Sequence, residues 1–169
     1  MRRKVIAFSA IATIALAVVL WKGRAQQPAQ PDLSGEWELV SAVGTTPPDG
    51  FVMQVNQSST TLRVRDHWNQ PANDQYGLTL VGLLAPELTF SIDGREDLNQ
   101  AGPFVIHSHT RRNGTRMVTT WSTSELMGMS FKGQWVRSVS ADGRESTLEV
   151  HADSSQRQHS DATLKFRKK

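Results

Sequence analysis

From Asp32 onward, apolar and polar residues alternate with a period of two, the pattern of strands that bury one face and leave the other in water. Leu33, Gly35, Trp37 and Leu39 share one face. The same parity continues through Phe51, Met53 and Val55, through Leu62 and Val64, and through Tyr76, Leu78, Leu80 and Leu84. Glu36, Glu38, Gln54, Arg63 and Arg65 fall opposite. Leu88, Phe90 and Ile92 form the next apolar row, followed by Phe104 and Ile106, Met117 and Trp121, Phe131, Trp135 and Val139, Leu148 and Val150, and Leu164 and Phe166. These rows predict roughly ten short antiparallel strands. No long helix is predicted; Ser124 to Met129 has room for one helical turn at most.

The reversals between rows carry their own signal. Ser91-Ile92-Asp93-Gly94-Arg95-Glu96 recurs almost unchanged as Ser140-Ala141-Asp142-Gly143-Arg144-Glu145. An Asp-Gly pair between two alternating runs predicts a two-residue type I′ hairpin turn, which needs positive φ at both central residues. Asn113-Gly114 marks a further reversal. A run of hairpins with one apolar face each leaves two open sheet edges unless the sheet closes, so the predicted fold is all-β, an antiparallel up-and-down barrel of roughly 8–10 strands. A two-sheet sandwich is the competing architecture. A barrel of this size holds one small ligand or a solid core.

On the first predicted strand, Ser34-Gly35-Glu36-Trp37-Glu38-Leu39 resembles the Gly-x-Trp entry strand of the calycins, the lipocalin and fatty-acid-binding-protein group. The resemblance implies a lipocalin-like barrel in which Gly35 lets the strand coil across the closing end and Trp37 plugs it. It also implies a cation from the last strand over that ring, for which Lys165 and Arg167 are the candidates. The segment Val136 to Val150 resembles a hairpin of lipocalin-like domains in exported bacterial proteins. The implied function is binding of a small hydrophobic or amphipathic molecule. The candidate lining is Phe51, Met53, Leu80, Phe90, Phe104, Trp121, Phe131 and Trp135. These are equally the residues of a dry core, so a ligand-free structural or interaction module of the cell envelope stands beside the carrier reading.

Before the barrel, Met1-Arg2-Arg3-Lys4, the apolar run Val5 to Leu20 and Gly23-Arg24-Ala25 read as a signal peptide over 1–25, followed by a polar linker over 26–31 and the barrel over 32–169. Export to the periplasm or the exterior follows. The alternative is a retained anchor in the inner membrane; with the leader cleaved no stable membrane insertion is expected. Five of the 19 Lys and Arg lie in the leader, so 14 face 16 Asp and Glu in the remainder and the balance falls from +3 to −2. The high isoelectric point therefore belongs to the leader, and no nucleic-acid partner is implied.

Candidate chemistry is sparse. The absence of Cys removes disulfides, thiol catalysis and thiolate metal sites. No Gly-x-Ser-x-Gly elbow and no phosphate-cradling glycine loop is present, so the chain reads as non-enzymatic, with no cofactor. His107 and His109 point the same way on one strand and suggest a metal pair, with His151 as a third donor to check. The parity of Phe104 and Ile106 turns both outward with Arg111, so no metal is expected. Met127-Gly128-Met129 reads as an apolar loop. Asp66 and His67, adjacent on an extended chain, point oppositely and make no acid–base dyad.

Overall fold

A computed structural model of the chain describes residues 32–47, 49–67 and 87–169. Ten strands follow one another: β1 (Gly35–Val43), β2 (Val52–Gln57), β3 (Thr61–His67), β4 (Leu88–Ser91), β5 (Asp93–Ala101), β6 (Phe104–Asn113), β7 (Arg116–Thr123), β8 (Phe131–Val139), β9 (Glu145–Ser154) and β10 (His159–Lys168). They form one antiparallel sheet in the order β4-β3-β2-β1-β10-β9-β8-β7-β6-β5. Pairing of the first strand with the last curls the meander into a nearly closed barrel. Among the described residues there is no helix. The leader, the linker and the predicted row Tyr76 to Leu84, with Leu80, lie outside the described residues.

The inward rows are those the alternation marks. Leu33, Trp37, Met53, Val55, Leu62, Val64, Phe90, Ile106, Met117, Trp135, Leu148, Val150, Leu164 and Phe166 are buried in a single core. The connections leaving β1, β5, β7 and β9 gather at one end, whereas those between β2 and β3, β6 and β7, and β8 and β9 gather at the Trp37 end.

Both Asp-Gly copies depart from the predicted turn. Asp93 and Asp142 keep negative φ and only the glycines are left-handed, Gly94 at 86° and Gly143 at 70°, so neither is type I′. In the second copy the Gly143 N–H donates to the Ser140 carbonyl at 2.9 Å, and Asp142 accepts from the Ser140 hydroxyl. This is a type I turn followed by a glycine bulge, a five-residue connection where two were predicted. The first copy is no hairpin at all: β4 and β5 are the two ends of the sheet and share no backbone ladder. Gly94 sits in a bulge on β5 against the Arg111 side chain.

The seam between β4 and β5 is closed by side chains. Asn99 donates its amide to the Thr89 carbonyl at 2.9 Å and accepts the Thr89 N–H at 2.7 Å, standing in for a strand residue. The Asp97 carboxylate accepts both the N–H and the hydroxyl of Ser91. Asn99→Leu keeps the volume but strands two half-buried backbone groups, and is expected to cost about 1–3 kcal/mol. Hydrogen exchange is the check: the Thr89 amide should exchange faster while β9 amides do not change. Unaltered protection at Thr89 would show that Asn99 does not hold the seam.

Candidate functional site

Each strand contributes its inward row to the interior, and the largest side chains meet near its middle. Trp121 of β7 lies stacked on Trp135 of β8, with ring centroids 5.0 Å apart and planes 24° from parallel. Phe90 reaches in from β4 and meets Trp135 edge-on at 5.9 Å. Gly133 makes this stack possible. It pairs directly with Trp121, and a Cβ there would stand 2.8 Å from Trp121 Cζ2 and 2.0 Å from the His151 carbonyl oxygen. At the end away from Trp37, Phe104 packs edge-on against Phe131 at 5.7 Å; closer to the Trp37 end, Phe51 lies 6.1 Å from Phe166.

A guanidinium stands among these rings. Arg137, two residues after Trp135 and so on the same face of β8, is buried, with its Cζ 5.4 Å from the Phe90 centroid and 5.5 Å from that of Trp135. Among the described residues its Nε and Nη1 are buried and find no hydrogen-bond partner, and the same holds for Trp121 Nε1, Trp135 Nε1, and Nε and Nη2 of Arg112. Ser108, Thr110, Thr119, Thr123 and Ser146 add buried hydroxyls, of which Thr110 and Thr119 bond each other at 2.8 Å. An apolar interior with unpaired donors is suited to a molecule that is mostly hydrocarbon and carries an acceptor or an anion.

Asp66 is the acidic counterpart. It continues the inward row of Leu62 and Val64, and burial pushes its carboxyl up to about 6, against the opposing pull of the Arg137 charge. Burial in turn lowers the Arg137 guanidinium to about 10, an effect the Asp66 charge opposes. Between the unfolded value of 3.8 and about 6, the folded chain holds the Asp66 proton and the unfolded chain does not. Stability associated with Asp66 therefore falls as pH rises through that window. Unfolding curves of wild type and Asp66→Asn should diverge accordingly, wild type losing about 2–3 kcal/mol relative to the variant between pH 4 and 7. Parallel pH profiles would place the Asp66 carboxyl in water.

Trp37 occupies the opposite end. It is fully buried, and its indole N–H donates to the Leu33 carbonyl at 2.7 Å. The cation over it is Lys168, with Nζ 5.4 Å from the ring; the predicted candidates Lys165 and Arg167 are exposed on the other face of β10. Lys168 shares the parity of Leu164 and Phe166 and pairs directly across from Trp37. Gly35 has a φ of 131° and lies under the Lys168 stem, which a Cβ would strike at 2.6 Å.

Of the predicted lining residues, Phe51, Met53, Phe90, Phe104, Trp121 and Trp135 are buried inside the barrel and Phe131 packs against the core partly buried. Arg137, Arg112 and Asp66 were not among them. Parity alone points each inward: Arg137 follows Trp135, Arg112 follows Ile106 and Thr110, and Asp66 follows Val64.

The remaining candidates are scattered. His107 and His109 both face outward, one bonded to Glu96 at 2.9 Å and the other to the Gly94 carbonyl at 3.1 Å. His151, on β9, instead bonds Asp161 at 2.6 Å. Asp161 also meets His159; these imidazole contacts hold its carboxyl below the usual range, and the Asp153 and Asp161 carboxylates raise His159. His67 is exposed, opposite Asp66. Met127 and Gly128, with φ of 50° and 76°, form a tight turn bracketed by paired Leu126 and Met129, which leaves Met127 92% exposed. A cleft of about 510 Å³ opens where β1 outruns β2, lined among others by Leu39, Ala42, Thr46, Pro47 and Phe51.

Solved structures with this architecture exist. Lipid binding protein 8 of Caenorhabditis elegans superposes with a TM-score of 0.54 at 9% identity, over 80% of this chain and 94% of that one. A secretory abundant heat soluble protein of Ramazzottius varieornatus superposes at 0.53 and 8% identity, over 85% of this chain and 99% of that one. At such identities the likeness establishes the calycin-like barrel fold. No protein-family model and no curated protein sequence matches the chain.

Proposed function

We propose that the barrel is a non-enzymatic carrier or sensor that holds one small amphipathic molecule, its hydrocarbon part among Trp121, Trp135, Phe90 and Phe104 and its acidic or acceptor end at Arg137. The observation that carries this reading is the pair of guanidinium nitrogens inside an apolar barrel that find no partner among the described residues. A buried donor without an acceptor costs free energy, and a bound anion would supply the missing partner. The similarity of fold to a lipid-binding protein supports the same reading. We place the carrier outside the cytoplasm, on the strength of the leader from Met1 to Ala25. A mature chain beginning at Gln26 is the expected product, and a chain retaining Met1 in the membrane would favour the anchored alternative.

A second reading rests on the packing. Trp37, Trp135, Phe90, Phe166 and Met53 are each almost wholly buried and the central rings touch one another, as in a solid core. Under it the barrel is a ligand-free structural or interaction module of the envelope. Titration with a long-chain carboxylate and with the matching alcohol separates the two. The carrier binds one equivalent of the acid with quenching of tryptophan emission. In Arg137→Met the acid should bind about 10–100-fold more weakly while the alcohol is little affected. Absence of saturable binding by either compound would leave the ligand-free module.

A further inference from the structure

On the outer face of the hairpin formed by β9 and β10, His159 pairs across from Asp153, and Asp161 across from His151. His151 and Asp153 are two apart on one strand, and His159 and Asp161 two apart on the other, so all four side chains leave the same face, imidazoles on one diagonal and carboxylates on the other. They are joined in a chain. His151 Nδ1 meets Asp161 Oδ1 at 2.6 Å, His159 Nε2 meets Asp161 Oδ2 at 3.1 Å, and His159 Nδ1 meets Asp153 Oδ1 at 2.8 Å.

His159 thus has a carboxylate at each ring nitrogen. A neutral imidazole carries one N–H and can satisfy only one of them. The other contact requires a second positive species, either a proton or a metal ion. The proton on Nδ1 has a clear role, because a carboxylate behind a ligating imidazole fixes its tautomer and aims its free nitrogen. That leaves Nε2 of His159 facing one oxygen of Asp161, while Nδ1 of His151 faces the other.

We propose that His151 Nδ1, His159 Nε2 and the Asp161 carboxylate form a surface site for a divalent transition cation of the zinc class, with Asp153 positioning His159. Two ligands of one tetrahedral zinc stand roughly 3.3 Å apart for bonds of 2.0–2.1 Å, so the contacts at 2.6 and 3.1 Å, made to different oxygens of Asp161, must open and the two imidazoles must converge on one ion. Among the described residues no three such donors already surround a common point, and the cation would gather them by rotation of side chains that are 51% (His151), 62% (His159) and 57% (Asp161) exposed. The mixed nitrogen and carboxylate set suits zinc or copper(II) over calcium or magnesium. From β8, Gln134 lies opposite His151 and Lys132 opposite Asp153, which puts the lysine beside the positioning carboxylate. His107 and His109 differ: each engages a single acceptor, and the two acceptors are on separate residues.

The tip of this hairpin is tied to the connection between β7 and β8 through Ser155, whose N–H donates to the Ser130 carbonyl at 2.9 Å and whose hydroxyl donates to that of Gly128 at 3.2 Å.

The test is equilibrium dialysis of the purified chain, carrying no polyhistidine tag, against zinc chloride at neutral pH. One zinc per chain is expected, with a rise in the thermal midpoint. His159→Asn and Asp161→Asn should each weaken binding at least tenfold, Asp153→Asn about 10–100-fold, and the His107→Asn, His109→Asn double variant should bind as wild type. These positions are exposed, so circular dichroism should find every variant folded. No stoichiometric zinc, or zinc binding unaltered in His159→Asn, would overturn the assignment.

Discussion

Truncating Trp37 to alanine is expected to remove about 3–5 kcal/mol of unfolding free energy, among the largest losses for a single side chain in this barrel. The ring is fully buried, its N–H is spent on the Leu33 carbonyl, and the Lys168 ammonium covers its face. Alanine would leave a cavity at the barrel end, an unpartnered buried carbonyl at Leu33 and a lysine stem with nothing to lie on. Guanidinium unfolding followed by circular dichroism measures this directly. A loss below about 1 kcal/mol would mean that the Trp37 end closes without its plug.

Gly133→Val is expected to cost about 3 kcal/mol, at the upper end of overpacking effects. The φ of Gly133 is not left-handed, so backbone strain is not the reason. Space is: the added Cβ meets the His151 carbonyl oxygen at 2.0 Å and the Trp121 ring at 2.8 Å, and the first of these is backbone that cannot swing aside. The strands β8 and β9 must part or Trp121 must leave its stack on Trp135. Denaturant unfolding gives the stability change, and a shift in tryptophan emission reports the broken stack. Wild-type stability with unshifted emission would mean that Trp121 does not depend on the gap at Gly133.

Much of this fold is legible in the alternation of residues, because each β-strand must separate its two faces and the chain does so with few exceptions. The row Leu33, Gly35, Trp37, Leu39 and the outward Glu36 and Glu38 stand where parity puts them. What alternation does not carry is long-range closure. Asp93-Gly94 and Asp142-Gly143 share a hexapeptide, yet one closes a hairpin and the other marks the seam of the barrel. The difference lies in which strands meet: Asn99 and Asp97 are held to Thr89 and Ser91 by contacts that exist only once the sheet has curled. Arg137, Asp66 and Lys168 share the inward parity of their strands, which alternation reveals only when charged residues are read along with the apolar rows. The bonded cluster of His151, Asp153, His159 and Asp161 needs the register between β9 and β10, which no local pattern states.

The central claim is that the interior takes up a small amphipathic molecule, and native mass spectrometry of the chain purified from its own cells tests it most directly. The account predicts a single small molecule bound one to one and released on denaturation. That molecule should rebind with quenching of tryptophan emission, and Arg137→Met should carry little of it. A chain that emerges with no adduct, and whose tryptophan emission stays unchanged when long-chain acids are added, would contradict the account.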